Sequence, residues 1–397
     1  MKSIEDVDLS GKRVFIRVDF NVPTDEAGKI TDDTRIKAHL PTIEYAVGKK
    51  ARVILASHLG RPKGKRAEKY SLRPVAARLA ELTGKAVGFA EDCVGPDAEK
   101  AAAAMKDGDV LLLENLRFHA EEEKNDEGFA KDLAKLCDVY VDDAFAVAHR
   151  GHASNAGITR FVATCAVGLL LRSELDYLKR ATENPVRPLV AIIGGAKVSD
   201  KIAVLERLTE KVDKLIIGGG MAFTFLRALG YETGTSLCEQ EMLDTARSIM
   251  EKAKERKVKL YLPMDCVVAQ KASLDAATKY VTVQEIPPEW MGLDIGPAST
   301  TLFGEALADA KTIVWNGPMG MFELDPFSRG TYGLVTFVAS AHALTIVGGG
   351  DTDTAVHKAG EAHRISYIST GGGAFLEVLE GKSMPAVDAL EACGAKK

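Results

Sequence analysis

Three glycine triplets lie in the second half of this chain of 397 residues, at positions 218–220, 348–350 and 371–373. Each triplet directly follows a short apolar, β-branched run and precedes helix-forming sequence. The repeated unit is therefore a strand, a glycine turn and a helix. Glycine allows a sharp turn, and an anion can approach the N–H groups of the next helix because no Cβ is in the way. The pattern predicts a sheet edge that binds phosphate groups, and several such turns suit a polyphosphate.

Strand-like runs alternate with helical sequence along both halves of the chain, which is typical of parallel α/β folds. They cover residues 13–20, 52–57, 110–114 and 139–141, then 189–193, 215–217, 260–262, 313–315, 345–347 and 365–368. Most of these runs are continuously apolar, which indicates a sheet buried on both faces by helices. The sequence predicts an α/β fold with two Rossmann-like, three-layer domains built on parallel sheets.

An amphipathic segment, residues 169–182, separates the two sets of strands. Its apolar positions Leu171, Leu175 and Leu178 share one helical face, and Asn184-Pro185 ends the segment. The chain is also longer than one hydrophobic core normally spans. We therefore expect two domains, residues 1–170 and 171–378, with this helix as the connection at the start of the second.

Composition excludes several classes of function. The net charge of −5 argues against general binding of nucleic acids or anionic membranes. The amino-terminal residues lack an apolar signal core, and the longest apolar stretch, 161–171, is too short to span a bilayer. The six cysteines contain no Cys-x-x-Cys pair, which indicates free thiols in a reducing compartment. We expect a cytoplasmic protein.

Cationic and polar residues of the first half follow the predicted strands, where ligands of open α/β sheets bind. They lie in Arg17 to Asn21, Ser57 to Gly64, Glu114 to His119 and His149 to His152, together with Arg35, and they include Asp19, Asn21, His58, Arg61, Arg117 and Arg150. Guanidinium groups match carboxylate and phosphate geometry, so the set predicts a pocket for a small anionic ligand. Taken singly, each arginine is more often a surface or ion-pair residue. The recurrence at strand ends favours the functional interpretation.

The second half offers groups suited to a nucleotide. Lys197 and Lys201 follow a glycine turn and are expected on one face of the first helical turns, although this spacing also fits a solvated helix face. Asp351 and Thr352 follow the second triplet, where a carboxylate suits Mg²⁺ and where a helix N-cap is the alternative. The loop from Trp315 to Glu323 could wall a nucleoside or simply be a turn shaped by Gly and Pro. Neither a Walker A loop nor a dinucleotide Gly-x-Gly-x-x-Gly fingerprint is present, which weakens a nicotinamide oxidoreductase.

These strings closely resemble the phosphoglycerate kinase family, and the resemblance runs nearly end to end. They are residues 17–23 (RVDFNVP), 57–64 (SHLGRPKG), 111–119 (LLLENLRFH), 194–201 (GGAKVSDK), 315–320 (WNGPMG), 348–352 (GGGDT) and 369–373 (STGGG). The resemblance implies a hinge-bending, monomeric kinase of glycolysis and gluconeogenesis. Such an enzyme transfers a phosphoryl group reversibly from 1,3-bisphosphoglycerate to ADP, with Mg²⁺, giving 3-phosphoglycerate and ATP.

The resemblance also assigns residues to roles. The amino-terminal domain would bind phosphoglycerate, with residues 379–397 packing back on it, through Asp19, Phe20, Asn21, Arg35, His58, Leu59, Gly60, Arg61, Arg117 and Arg150. The second domain would bind the nucleotide through Gly195, Lys197, Lys201, Gly219, Gly292, Asn316, Pro318, Glu323, Gly349, Gly350, Asp351 and Thr352. Asp351 would hold the metal through the nucleotide phosphates. The catalytic groups would be Arg35, Lys197 and the helix N-termini at Gly350 and Gly373.

Four positions depart from the family pattern: Asp142 for Asn, Ala146 for Gly, Ala298 for Lys, and Phe375 for a small residue. None of them is an assigned site residue. A non-catalytic nucleotide-binding protein on the same fold is the alternative, but Arg35, Lys197 and Asp351 are all retained. No general base is evident, and none is needed because a carboxylate nucleophile is already ionised at neutral pH. Catalysis would then consist of positioning and charge neutralisation.

Overall fold

Two six-stranded parallel sheets dominate the structure, a computed structural model that describes residues 1–395. The chain divides into two units. The first unit comprises Met1–Leu175 and the segment from Ser383 onward, and the second comprises Asp176–Lys382. Of the segment expected to pack back on the first domain, residues 379–382 lie in the second unit. Lys396 and Lys397 lie outside the described residues.

The first unit has the strand order β3-β4-β2-β1-β5-β6. Its strands are β1 (Arg13–Arg17), β2 (Arg52–Ala56), β3 (Val87–Ala90), β4 (Val110–Leu113), β5 (Val139–Asp142) and β6 (Cys165–Val167). Its helices are α1 (Thr34–Gly48), α2 (Arg73–Thr83), α3 (Gly95–Ala103), α4 (Ala120–Glu123), α5 (Glu127–Ala134) and α6 (Leu169–Thr182), the last ending in the second unit. The central strands are buried along nearly their whole length, as their continuous apolar sequence predicts. The sequence did not predict β3 and β6, which are short strands at the two edges.

The second unit repeats the design with the order β15-β14-β13-β7-β8-β9. These strands are β7 (Leu189–Ile193), β8 (Lys214–Ile217), β9 (Lys259–Tyr261), β13 (Thr312–Asn316), β14 (Leu344–Gly348) and β15 (Tyr367–Ser369). A separate antiparallel sheet contains β10 (Asp265–Ala269), β11 (Thr278–Thr282) and β12 (Met291–Ile295), in the order β11-β10-β12. The helices are α7 (Ile202–Leu208), α8 (Ala222–Ala228), α9 (Leu243–Glu255), α10 (Pro297–Leu307), α11 (Arg329–Ser340), α12 (Gly350–Lys358) and α13 (Gly373–Glu380). The predicted α/β class with two parallel sheets is confirmed, whereas the small antiparallel sheet was missed.

The carboxy-terminal helix α14 (Pro385–Gly394) packs on β6 in the first unit. A disulfide joins Cys393 of this helix to Cys165 of β6, across 228 residues of sequence. The expectation that all six cysteines are free thiols is therefore wrong, and only Cys93, Cys137, Cys238 and Cys266 are free. Sequence spacing could not reveal the pair, because the fold alone brings these two positions together.

Among residues 1–395, no helix combines the length and the apolar character that crossing a membrane requires.

Candidate active site

Most of the predicted substrate residues of the first unit lie just beyond the ends of β1 and β2, while Arg117 follows β4 and Arg150 follows β5. Arg35 is in the first turn of α1, and its Nη1 donates to Asp19 Oδ2 at 2.6 Å. The loops are tied together because the N–H of Gly60 donates to Asn21 Oδ1 at 2.8 Å. The Asp19 side chain is 5% exposed and that of Arg35 is 37% exposed. Arg35 is thus anchored at one point and retains donors that can reach a ligand.

Buried positive charge accumulates beside these loops. Arg17, at the end of β1, is fully buried, and Arg117 is 4% exposed. Burial lowers the pKa of Arg117 to about 10; Glu123 opposes the shift, and the charges of Arg17 and Arg150 add to it. A lowered pKa means that the folded protein disfavours this positive charge, so an anion bound here would be stabilised.

Two buried histidines share this environment. Burial lowers the pKa of His58 well below its usual value, and Arg17 and Arg117 lower it further. The same causes lower the pKa of His152 to about 3. Both imidazoles are therefore neutral at physiological pH. They can form hydrogen bonds with a ligand, but they add no charge to the site. The positive charge of the site comes from its arginines.

The remaining predicted residues of this edge differ in their accessibility. Phe20 and Leu59 belong to the hydrophobic core, so they can offer a ligand only backbone groups. The N–H of Phe20 already donates to Ser57 Oγ at 2.8 Å. Arg150 contacts His149 through its Nε at 3.0 Å. Arg61 is exposed.

The sequence pointed to Arg17 but not to the buried residues that support it. Arg17 donates through Nε to Ser154 Oγ at 2.8 Å, and that hydroxyl donates to Glu122 Oε1 at 2.6 Å. Glu122, which is also buried, accepts a second bond from the Ser154 N–H at 2.9 Å. This network offsets the charge of Arg17 and fixes its orientation. Arg17 stands first in the RVDFNVP string, which was the available signal, but nothing in the sequence marks Ser154 or Glu122.

A cavity of about 910 Å³ opens at the glycine turns of the second unit. Predicted nucleotide residues in its lining are Gly195, Gly219, Gly292, Pro318, Glu323 and Asp351. The lining also includes Phe223, Leu237, Met291 and Leu293, which were not predicted and make much of the wall apolar. A largely apolar pocket with a few polar groups at its rim is typical of small-molecule sites. Its size and lining suit a nucleoside.

Lys201 lies at the turn beside this cavity. Its Nζ donates to Gly194 O at 2.7 Å and to Asn316 Oδ1 at 2.6 Å. Burial lowers the pKa of Lys201 to about 8, against a raising effect from Asp351. The side chain of Asn316 in turn donates to Gly348 O at 2.8 Å. One amide therefore connects the lysine to the strand that ends in the second glycine triplet.

The second triplet opens α12 as predicted. Gly349 is the residue before the helix and has a φ of 98°, a conformation that favours glycine. Thr352 accepts from the N–H of Gly317 at 2.7 Å and is buried. Asp351 is exposed in the first turn, and the residue at the N-cap is Gly349, so Asp351 does not cap the helix. Its carboxylate remains available to a ligand.

At Gly350 and Gly373 an added Cβ would meet no atom within 4 Å. Protein packing therefore does not require glycine at these two helix starts. A phosphate that approaches the N–H groups of these helices closely would explain why glycine occurs at both positions.

Two expectations for this unit need correction. Helix α7 begins at Ile202, so Lys197 and Lys201 lie in the preceding turn and not on one face of a helix. At Gly218 an added Cβ would strike Met319, so this glycine serves the packing of adjacent turns, although Gly219 and Gly220 do line the cavity.

The departures from the family pattern also have structural settings. Phe375 is fully buried and packs against Gly348, where an added Cβ would collide with its ring. The N–H of Ala298 donates to Asp265 Oδ2 at 3.0 Å while its side chain is exposed. Asp142 is fully buried, and burial raises its pKa to about 6. Ala146 lies in a short 3₁₀ turn after Ala144.

The fold and these two sites define a class, the α/β kinases with an anion site on one parallel sheet and a nucleotide cavity on the other. Comparisons with known proteins specify the family. The family model of phosphoglycerate kinase matches residues 4–382. The phosphoglycerate kinase of Geobacter metallireducens is 61% identical over 386 residues, which cover 97% of both chains. That of Nautilia profundicola is 55% identical over 394 residues, 98% of this chain and 99% of the relative.

Solved structures agree with the sequence comparisons. The phosphoglycerate kinase of Coxiella burnetii has a TM-score of 0.90 at 46% identity, covering 98% of each chain. That of Pyrococcus horikoshii has a TM-score of 0.88 at 33% identity over the full length of both chains. The chain belongs to the phosphoglycerate kinase family. It is a glycolytic transferase that moves a phosphoryl group between 1,3-bisphosphoglycerate and ADP, and a non-catalytic role is not supported.

Proposed function

We propose that the two units divide the substrates of this reaction between them. The first unit, with the part of the chain that returns from Ser383, binds 3-phosphoglycerate or 1,3-bisphosphoglycerate. The second unit binds ADP or ATP. The observation that carries the assignment is the burial of two arginines, Arg17 and Arg117, beside the loops that contain the other arginines. Burial lowers the pKa of Arg117, so an anion bound there would stabilise its charge.

In the first unit, the arginines bind the acidic groups of phosphoglycerate while the neutral imidazoles donate hydrogen bonds. The buried pair Arg17 and Arg117 supplies a fixed positive field, and Arg150 and Arg61 approach from more accessible positions. Asp19 and Asn21 hold the loop, as their bonds to Arg35 and Gly60 indicate. Arg35 is anchored to Asp19 at one point and is 37% exposed, so it is suited to contact the transferring phosphoryl group.

In the second unit, the nucleoside occupies the cavity beside Gly219, Gly292 and Pro318, with Glu323 at its rim. The phosphates then run toward Lys201 and the start of α12. Exposed Lys197 reaches the terminal phosphate, and the N–H groups at Gly350 and Gly373 stabilise its charge. Lys201 gains full charge when an anion binds, since its pKa in the absence of ligand is only about 8.

The residues fit a magnesium ion that is bound mainly by the nucleotide. Asp351 offers one exposed carboxylate at the glycine turn, and Mg²⁺ in nucleotide sites commonly takes one or two protein carboxylates and keeps several waters. Bound there, the ion would neutralise charge on the phosphates. The protein groups would still have to orient the acceptor carboxylate and exclude water.

The chemistry requires positioning more than proton transfer. The carboxylate of 3-phosphoglycerate is ionised at neutral pH and attacks the terminal phosphate in line. Arg35 and Lys197 offset the charge that develops on the transferring group. We propose that the units close by hinge bending to bring the substrates together, because an acyl phosphate exposed to water would hydrolyse.

We also propose that the protein acts as a monomer in the cytoplasm, with small molecules as its partners and with no nucleic acid or membrane. The net charge of −5 argues against binding to nucleic acids or anionic membranes. Sedimentation equilibrium at micromolar concentration is expected to give the mass of one chain, 42.6 kDa. A mass twice as large would refute the monomer.

The division of substrates is tested by steady-state kinetics with 3-phosphoglycerate and Mg-ATP in a coupled assay. Arg150→Ala is expected to raise KM for 3-phosphoglycerate about tenfold, as for the loss of one charged contact, with KM for ATP within about twofold. Asn316→Ala is expected to raise KM for ATP about tenfold and to leave KM for 3-phosphoglycerate within about twofold. Variants that raise both KM values equally would contradict the assignment.

A further inference from the structure

Helix α1 joins the substrate site to the start of the helix that enters the second unit. Arg35, His39 and Thr42 are spaced i, i+4 and i+7, so they share one face of α1. His39 is 2% exposed and Thr42 is fully buried. The established reaction gives neither of them a role.

His39 has both ring nitrogens engaged. Its Nε2 accepts from the backbone N–H of Asp19 at 2.9 Å, and its Nδ1 lies 2.8 Å from Asp143 Oδ2. Because a backbone N–H can only donate, Nε2 must be the acceptor and Nδ1 carries the proton that is donated to Asp143. Asp19 is also the partner of Arg35 at 2.6 Å. His39 therefore connects the Arg35 anchor to a buried carboxylate.

Asp143 and Thr42 together hold the beginning of α6. Asp143 Oδ1 accepts from the N–H groups of Leu170 and Leu171 at 2.9 and 3.2 Å. Thr42 Oγ1 accepts from the N–H of Leu169 at 3.0 Å. These are the first three N–H groups of α6, which lack partners inside the helix. The orientation of the start of α6 thus depends on groups that α1 positions.

We propose that His39 and Thr42 are positioning residues that couple the Asp19–Arg35 pair to the amino terminus of α6. A ligand in the phosphoglycerate site changes the hydrogen bonding of Arg35 and Asp19. Because α1 positions the groups that hold the first residues of α6, this change alters the orientation of that helix, which continues into the second unit. The coupling serves phosphoryl transfer by fixing the orientation of the start of α6 once phosphoglycerate is bound. It rests on the proposed role of Asp19 and Arg35 in binding that substrate.

Side-chain substitutions can cut the connection at either end. In His39→Asn the amide can replace Nδ1 as a donor to Asp143, but it does not reach the N–H of Asp19. In His39→Gln the amide can replace Nε2 as an acceptor from Asp19, but it does not satisfy Asp143. Thr42→Val removes the acceptor of the Leu169 N–H, and Thr42→Ser restores it. Thr83→Val is the control, since its hydroxyl bonds only within α2, at 2.8 Å to Leu79 O.

The experiment measures kcat and KM for both substrates, the calorimetric Kd of 3-phosphoglycerate and of ADP, and the Tm of each variant. Both His39 variants and Thr42→Val are expected to lower kcat at saturation about tenfold, with the Kd of ADP alone within about twofold. Thr42→Ser should recover most of kcat, and Thr83→Val should keep it. If the His39 variants and Thr42→Val keep their kcat, whether or not their Tm falls, the proposed coupling is wrong. An error in the assignment of Arg35 to the phosphoglycerate site would appear separately, because Arg35→Ala would then bind 3-phosphoglycerate with an unchanged Kd.

Discussion

The two parallel sheets have the same architecture, but their carboxyl edges present different groups to a ligand. The first edge presents buried charged side chains such as Arg17 and Arg117. The second edge presents glycine turns, helix N-termini, one largely buried lysine and an apolar cavity. Guanidinium groups can hold a small, densely charged molecule in a defined orientation through paired hydrogen bonds. Backbone turns follow a phosphate chain and leave room for a nucleoside, so one fold can bind two dissimilar substrates.

The comparison is tested most severely at Arg35, the arginine of the first edge that pairs with Asp19. Arg35→Ala should lower kcat about 10²-fold or more, because it removes a group expected to stabilise charge in the transition state. Lys37→Ala on the same helix is the control. Lys37 Nζ lies 2.8 Å from Asp33 Oδ1, and neither residue is assigned to the site. Coupled-assay kinetics of the two variants measure the difference, and equal kcat values would remove Arg35 from the mechanism.

Each unit also contains a buried carboxylate with a raised pKa, Asp142 at about 6 and Asp294 at about 7. A raised pKa means that the folded state favours the protonated form, so this contribution to stability is present below pH 4 and is lost as pH rises through the folded pKa. Asp142→Asn keeps an acceptor for the Ala144 N–H at 2.9 Å and removes the ionisation. We expect it to increase the free energy of unfolding by about 3 kcal/mol at pH 8 and by little at pH 4.

Asp294→Asn is the matched comparison. Both oxygens of Asp294 accept backbone N–H groups, from Ile295 at 2.9 Å and Gly330 at 2.7 Å. An amide can satisfy only one of these donors, so we expect a smaller gain or a net loss of stability at pH 8. Urea denaturation at pH 4, 6 and 8 measures both variants, and an equal gain at pH 8 would contradict the difference between the two environments.

The second edge should show a pH dependence that the first lacks. Lys201, with a pKa of about 8, loses its charge as pH rises, and a nucleotide phosphate favours the charged form. The Kd of ADP should therefore increase by up to about tenfold between pH 7.5 and 9. Lys201→Arg remains charged across this range and should flatten the profile. Calorimetry is the measurement, and identical profiles would show that Lys201 does not contact the phosphates.

The smallest effect concerns the metal. Asp351→Asn removes one carboxylate from a site that the nucleotide phosphates would otherwise complete. The magnesium concentration for half-maximal activity should rise several-fold, with kcat at saturating magnesium reduced much less. An unchanged magnesium titration would leave Asp351 outside the metal site.

The sequence predicted the fold where the apolar signal was strong. Strands such as β4 and β7 are continuous runs of aliphatic residues, and they are buried as expected. The strand β11 was missed because most of its residues are exposed, and its sequence, TKYVT, carries little apolar signal. Two motif strings contain Lys201 and Asp351, and both residues lie at turns of the second sheet, Lys201 beside Gly194 and Asp351 in the lining of the cavity. The network of His39 and Asp143 was not predicted, since it depends on two residues 104 positions apart meeting through packing.

The central claim is that each edge binds its own substrate, and equilibrium binding tests it most directly. Calorimetric titration of 3-phosphoglycerate and of ADP would be made on Arg117→Ala and on Lys201→Met. Arg117→Ala should weaken 3-phosphoglycerate at least tenfold and leave ADP within about twofold, while Lys201→Met should do the opposite. Either variant weakening both ligands to the same extent would contradict the division of substrates between the two units.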